Sequence, residues 1–185
     1  LEVVEIGDWA RMQTFDETGQ PWTNPSPNMR NLTQAMLYPG IGLLETALSV
    51  GRGTDTPFEV IGAPYIDDVL LAKRLNALSQ EGVMFVPIRF TPSASIHKAK
   101  ECGGVNIIIT NREKLKPVIL GIAIARELHA IYPNHFPLVK VNRLLCHLPT
   151  IRAIEKGETM NDIQELWQSD LDKFNKRRAE FLIYD

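Results

Sequence analysis

Cysteine is scarce in this chain, with Cys102 and Cys146 the only two in 185 residues. Two thiols make no disulfide framework and lack metal-ligand spacing, so each is expected as a buried free thiol, and neither a metal nor a cofactor is expected. Charge of one sign is equally scarce. The 20 Lys and Arg residues stand against 22 Asp and Glu, and a net charge of -2 leaves no electrostatic footprint for nucleic acid. No apolar run approaches the length of a membrane span, and the opening LEVVEIGDW has neither the basic flank nor the cleavage pattern of a signal peptide. The chain also does not begin with methionine. It is therefore expected to be a processed product or an excised fragment, whose missing segment would carry any cellular address. Internal repeats and low-complexity stretches are absent. What remains is an ordinary globular composition, 44% hydrophobic and 23% charged, in a length suited to one domain with a sizeable core.

Taken in order, Leu1 to Ile6 reads as a short strand ended by Gly7 and Asp8. From Thr18 to Asn31 the alternating Pro21, Pro25 and Pro27 withdraw amide donors and favour extended neighbours, so neither helix nor central strand fits. A long ordered loop of this kind is functional or a linker. Trp22 among Asn24, Ser26 and Asn28 makes an aromatic platform beside polar groups, a common way to hold a sugar; the alternative is a buried Trp22 with polar residues satisfying backbone. Leu32 to Leu37 reads as a helical turn capped by Asn31 and stopped by Tyr38-Pro39-Gly40. Phe58 to Ile61 reads as a strand, and Ile41 to Leu48 is open between strand and helix.

Farther on, Asp67 to Leu78 makes an amphipathic helix with Val69, Leu70, Ala72, Leu75 and Leu78 on one side. Asp67 and Asp68 suit its N-terminus and, adjacent on a helix, do not face each other as a catalytic pair. Val83 to Phe90 is the clearest strand, and Val105 to Ile109 is a second, buried on both faces. Between them, His97, Lys98, Lys100, Glu101 and Cys102 form a polar crossing that could reach a pocket, without the signature of a thiol nucleophile and its base. The last third is helical: Leu115 to Ile131, two short helices from Val141 to Lys156 divided at Pro149, and Met160 to Glu180 capped by Thr159. Ile163, Leu166, Trp167, Leu171 and Phe174 keep helical period in the last of these, and its basic end reads as a solvated face. The fold class is thus mixed α/β (α+β), a central, mostly buried sheet with flanking helices.

The stretch that reads as a site is Glu45 to Tyr65, ETALSVGRGTDTPFEVIGAPY. Glycines on both sides of Arg52 permit positive φ and close approach, presenting the guanidinium and the Thr54 hydroxyl outward from a loop. A guanidinium held so is a fork of donors for a carboxylate or phosphate. Glu45 is near enough to be its partner, in a plain structural turn, or an independent acid. The lysine and glycine spacing of a P-loop or dinucleotide fingerprint are lacking.

Phe15-Asp16-Glu17-Thr18-Gly19, Pro21-Trp22, Pro25-Ser26-Pro27-Asn28, Tyr38-Pro39-Gly40, Leu43-Leu44-Glu45, Gly51-Arg52-Gly53-Thr54, Pro57-Phe58, Gly62-Ala63-Pro64 and Cys102-Gly103-Gly104 follow one another across nearly the whole chain. In that order they resemble the C-terminal part of the exo-β-N-acetylmuramidases, bacterial glycoside hydrolases long listed as a domain of unknown function. The resemblance implies that residues 1–185 are the substrate-cleft half of a two-domain enzyme with a Rossmann-like N-terminal domain, the active site lying between the halves. It implies hydrolysis of terminal N-acetylmuramic acid from peptidoglycan fragments, for cell-wall turnover and recycling, in the periplasm or outside the cell. Arg52 would then clamp the lactyl carboxylate of muramic acid. Thr54, Asn28, Ser26, Tyr38, Tyr65 and Trp22 would line the sugar site, and Glu45 would be catalytic or orient Arg52. The principal catalytic glutamate would belong to the absent half, so this chain alone would hydrolyse little. The alternative is a non-catalytic module that binds cell-wall glycans or a partner protein.

Overall fold

The computed structural model describes residues 2–184. Its first regular α-helix, α1 (Leu32–Ile41), begins where Asn31 accepts the backbone N–H of Gln34 through its side chain. The expected stop at Tyr38-Pro39-Gly40 does not occur. Pro39 sits inside α1, and the Gly42 N–H bonds the Tyr38 carbonyl, so the ladder resumes beyond the proline and runs into a 3-10 turn at Gly42–Leu44. The reason is tertiary. Helix α3 (Pro117–Ile131) crosses α1 at Gly40 and Gly121, and a Cβ on either glycine would collide with the partner backbone, Pro117 O in one case and Gly40 O in the other. Close approach of this kind buries Leu37 and Ile41 completely, together with Leu44 just beyond α1, which outweighs the one hydrogen bond the proline removes.

Three strands form one sheet in the order β1-β3-β2. Strand β1 (Val60–Ala63) starts two residues later than the expected Phe58, because Phe58 takes φ 65 and cannot extend. Strand β2 (Val83–Phe90) has the predicted limits and lies at an edge, where Pro87 costs no ladder bond on its open side. Strand β3 (Cys102–Ile109) is antiparallel to both, pairing Val105 with Ile61 on one side and Pro87 on the other. It begins earlier than predicted and is buried except towards its end, where Ile108 is partly exposed.

Helix α2 (Asp68–Ala77) is capped by Asp67, as its sequence indicates, but turns Leu71, Ala72 and Leu75 inward. Val69 and Leu70 are exposed, contrary to the expected stripe. Residues 2–6 are not a strand: they are exposed, and the Ile6 N–H instead donates to the Tyr184 hydroxyl at 2.7 Å. Leu1 lies outside the described residues. After α3 come α4 (Asn142–Leu145) and α5 (Leu148–Glu155), separated at Cys146, whose φ is 52, while Pro149 lies in the first turn of α5. Cys102 is buried and Cys146 exposed, so the second thiol is not the expected buried one. Helix α6 (Met160–Ala179) starts with the predicted Thr159 cap, closed by Asp162 into a capping box. Only Ile163 of α6 is buried; Leu166, Leu171 and Phe174 keep helical period into solvent.

The glycine crossing is testable. Gly121→Ala should destabilise the protein by about 3 kcal/mol through overpacking against a backbone that cannot yield. Gly7→Ala, with no atom within 4 Å of the added carbon, should be close to neutral in the same urea unfolding experiment.

Candidate functional site

The loop after the 3-10 turn is built on two left-handed glycines, Gly51 at φ 76 and Gly53 at φ 82. Thr54 closes it: its N–H and hydroxyl both donate to the Gly51 carbonyl, at 3.0 and 2.7 Å, and its oxygen accepts the Thr56 N–H. The Thr54 hydroxyl is therefore turned into the loop rather than outward as its sequence position implied. The Phe58 N–H donates to the Val50 carbonyl at 2.7 Å, which fixes the far end.

Within this frame Arg52 Nη2 donates to Glu45 Oε2 at 2.7 Å, and the guanidinium carbon stands 5.2 Å from the centroid of the buried Phe58 ring. Tyr38 packs edge-on to the same ring at 4.9 Å. Of the two arrangements left open by the sequence, the structure takes the one in which Glu45 and Arg52 are partners. The pair is neither sealed nor free, with side-chain exposures of 25% for Glu45 and 30% for Arg52. A carboxylate and guanidinium held this way hold each other's direction, and the remaining donors of the guanidinium fork can meet a second anion.

The proline-rich segment comes up beside this loop. Arg30 lies 3.6 Å from Asp55 at its tip, and Asn31 and Gln34 both donate to Glu59 Oε1, at 3.3 and 2.9 Å. Ser26 and Asn28, both half-buried, sit in a turn closed by the Met29 N–H on the Ser26 carbonyl at 2.9 Å. Trp22 is half-buried too, edge-on to Phe15 at 5.2 Å, with its indole N–H on Asn24 Oδ1. It lines a groove of about 400 Å³ with Phe15, Asp16, Arg30 and Asn31. Tyr65 belongs to another group, stacked on His135 at 5.4 Å and edge-on to Tyr132 at 5.6 Å. Burial pushes its phenol up to about 12, and its hydroxyl has no partner among the described residues.

The polar crossing between β2 and β3 joins the Arg52 loop directly. The Ser93 N–H and hydroxyl both donate to the Gly53 carbonyl, at 2.9 and 2.8 Å, and a Cβ on Gly53 would strike the Ala94 nitrogen. Ser95, His97 and Ala99 all have positive φ without being glycine, a concentration of strain that the surrounding contacts must hold. No glycine or proline within Ser95–Ala99 marks this geometry, so sequence reasoning had no signal for it. Burial and the nearby Lys100 hold the His97 imidazole below its ordinary value, and its Nε2 is buried without a partner among the described residues. Cys102 is fully buried, with burial raising its thiol and its Sγ turned to the Lys100 carbonyl, which suits packing rather than nucleophilic attack. Among the described residues no group of three His, Cys, Asp or Glu side chains gathers to hold a metal, and no helix is long and apolar enough to cross a membrane.

Comparison with known proteins gives four likenesses. Residues 36–184 match the family described as the C-terminal part of the exo-β-N-acetylmuramidase NamZ. The peptidoglycan β-N-acetylmuramidase NamZ of Bacillus subtilis (strain 168) is 38% identical over 188 residues, covering 100% of this chain and 45% of the relative. The chain thus spans about half the length of the curated relative it matches. Two crystal structures of DUF1343 family proteins from Bacteroides fragilis NCTC 9343, each 25% identical, superpose with TM-scores of 0.81 and 0.63. They cover 96% and 88% of this chain and 49% and 44% of theirs.

Two outcomes test the geometry. A double-mutant cycle of Glu45→Gln and Arg52→Gln should give a coupling of about 1 kcal/mol in unfolding experiments, the range for a half-exposed pair. In an alkaline absorbance titration one tyrosine should ionise near pH 12, above the ordinary 10.0, and Tyr65→Phe should remove that step. The raised value means that Tyr65 stabilises the fold fully below pH 10 and loses that contribution as pH rises through about 12.

Proposed function

Because this chain belongs to the family formed by the C-terminal part of the exo-β-N-acetylmuramidases, we propose that it is the substrate-cleft half of a glycoside hydrolase releasing terminal N-acetylmuramic acid from peptidoglycan fragments. The observation that carries the reading is the half-exposed Glu45–Arg52 pair on a loop closed by the Thr54 hydrogen bonds to the Gly51 carbonyl. Muramic acid differs from its neighbour sugar by a lactyl carboxylate. Arg52 keeps Nη2 on Glu45 and turns its remaining donors to that carboxylate, while the Phe58 ring fixes the plane of the guanidinium.

Glycoside hydrolysis uses two carboxyl groups, a proton donor and a base or nucleophile. Glu45, accepting a charge-assisted hydrogen bond, is fitted to the anionic role or to orienting Arg52, and the proton donor comes from the N-terminal half, a Rossmann-like domain facing this one across the cleft. Trp22, Ser26 and Asn28 extend the wall along which the sugar lies, with Tyr38 beside Phe58. The strained loop at His97 is tied to the Arg52 loop through Ser93 and Gly53. Tyr65 stands apart, with its ring contacts on Tyr132 and His135, and contributes to the sugar site only where the cleft reaches that group. Hydrolysis by this chain alone is expected to be negligible. The protein would serve cell-wall turnover and recycling in the periplasm or outside the cell.

The engagement of Glu45 by Arg52 also favours a second reading, in which this half binds glycan and takes no chemical part. Glu45→Gln in the full-length enzyme separates the two, lowering kcat in the first case and raising KM with kcat unchanged in the second.

The discriminating test is selectivity. In the full-length protein Arg52→Ala should weaken binding of N-acetylmuramic acid about 10- to 100-fold, the worth of a charge-assisted hydrogen-bonded pair. Binding of N-acetylglucosamine, which lacks the lactyl group, should stay within about twofold by calorimetry. Equal losses for both sugars would assign Arg52 to the fold of its loop.

A further inference from the structure

Helix α6 carries an apolar stripe that starts in the core and leaves it. Ile163 is 0% exposed and Trp167 is half-buried against His147, whereas Leu171 is 43% and Phe174 47% exposed at the same helical period, with Leu166 at 42% on the flank. Beside the stripe runs an open apolar groove of about 430 Å³, lined by Val118, Ile122, Leu145, His147, Trp167 and Leu171. The Arg177 guanidinium lies 5.7 Å from the Phe174 ring centroid, and Asp170, Asp172, Lys173, Lys176 and Arg178 flank the stripe at this outer end. A helix of twenty residues with one buried side chain gains little from its own domain, and contiguous exposed apolar surface of this kind marks a docking face.

The segment that follows α6 is tied to residues 6–11. Trp9 packs edge-on to Tyr184 at 4.7 Å, the Ile6 N–H donates to the Tyr184 hydroxyl at 2.7 Å, and Arg11 Nη2 donates to the Tyr184 carbonyl at 2.7 Å. Residues 6–11 are thereby clasped to the segment that follows α6. Apolar exposure continues through this clasp, at Val4 (85%) and Ile6 (66%) on one arm of it and Phe181 (73%) on the other. The Bacillus subtilis relative has more than half of its length outside the matched region, and the matched region is the family's C-terminal part. In a protein of that plan the preceding half is delivered at the clasp, next to the free end of α6. Its attachment gives it an effective concentration that no separate molecule reaches.

We propose that the exposed stripe of α6 and the groove beside it seat the N-terminal half of the full-length protein. Docking there holds the two walls of the cleft in fixed relation, because α6 is anchored in the core at Ile163 and the entering chain is anchored at Tyr184. It requires the two-half architecture proposed above, but not the identity of the sugar.

The test is thiol accessibility in the full-length protein. Leu171→Cys and Phe174→Cys are placed on the stripe, and Ser169→Cys, on an exposed part of the same helix, is the control. Iodoacetamide labelling is followed peptide by peptide. Residues 171 and 174 should label at least about tenfold more slowly than 169, at a ratio independent of protein concentration. Equal rates at all three would overturn the proposal, as would protection that disappears on dilution, which would assign the face to a second copy of the chain. Hydroxyl-radical footprinting of the unsubstituted full-length protein gives the same answer without a mutation: Phe174 is protected if the half docks and reacts as a free phenylalanine if it does not. Protection without release of N-acetylmuramic acid by the same preparation keeps the docking and removes the muramidase reading. Sugar release with free labelling does the reverse.

Discussion

The backbone contact between α1 and α3 at Gly40 and Gly121 is the constraint from which the site's position follows. Two helices can approach this closely only where neither carries a Cβ, and the approach makes it worthwhile for α1 to pass through Pro39 instead of ending there. With the helix continued, Leu44 reaches the core and Glu45 emerges one residue later from a fully buried anchor. The same continuation sets Tyr38 over Phe58, and through that ring it touches Arg52. A site residue placed by a buried turn holds its direction without needing a ligand to order it.

Around the pair, the chain accepts backbone geometries that cost energy. Phe58, Ser95, His97 and Ala99 are all left-handed without being glycine, and all lie on or beside the Arg52 loop. Such conformations persist only where neighbouring bonds over-determine them. Here the determinants are visible: the Phe58 amide on Val50, the two Ser93 donors on Gly53, and the Ala99 amide on Pro92. These four residues gather in the region of the half-exposed ion pair, whereas the other left-handed non-glycine residues, Asp8, Ser79 and Cys146, stand singly elsewhere.

The other unusual feature is at the opposite extreme of polarity. One helix leaves the core with its apolar face uncovered, and the two chain ends meet beside it. On the two-half plan proposed above, the Arg52 loop and the uncovered stripe are each faced by the other half. The curated relative has the length to contain such a preceding domain.

Features governed by a few adjacent residues were legible in the sequence. The caps at Asn31, Asp67 and Thr159, the limits of β2, the helical last third and the mixed α/β class follow from side chains acting on backbone one to four residues away. The series of short motifs identified the family for the same reason, since order along the chain is a property of the sequence itself. Tertiary structure alone decided where helix α1 ends, that Phe58 turns instead of extending, and that Val69 and Leu70 face water. It also decided that Thr54 folds into its loop, that Arg52 chooses Glu45, and that Tyr65 joins Tyr132 and His135 rather than the arginine. Each of these depends on what a distant segment brings within a few ångströms, and hydrophobic period or turn propensity carries no information about which segment that will be.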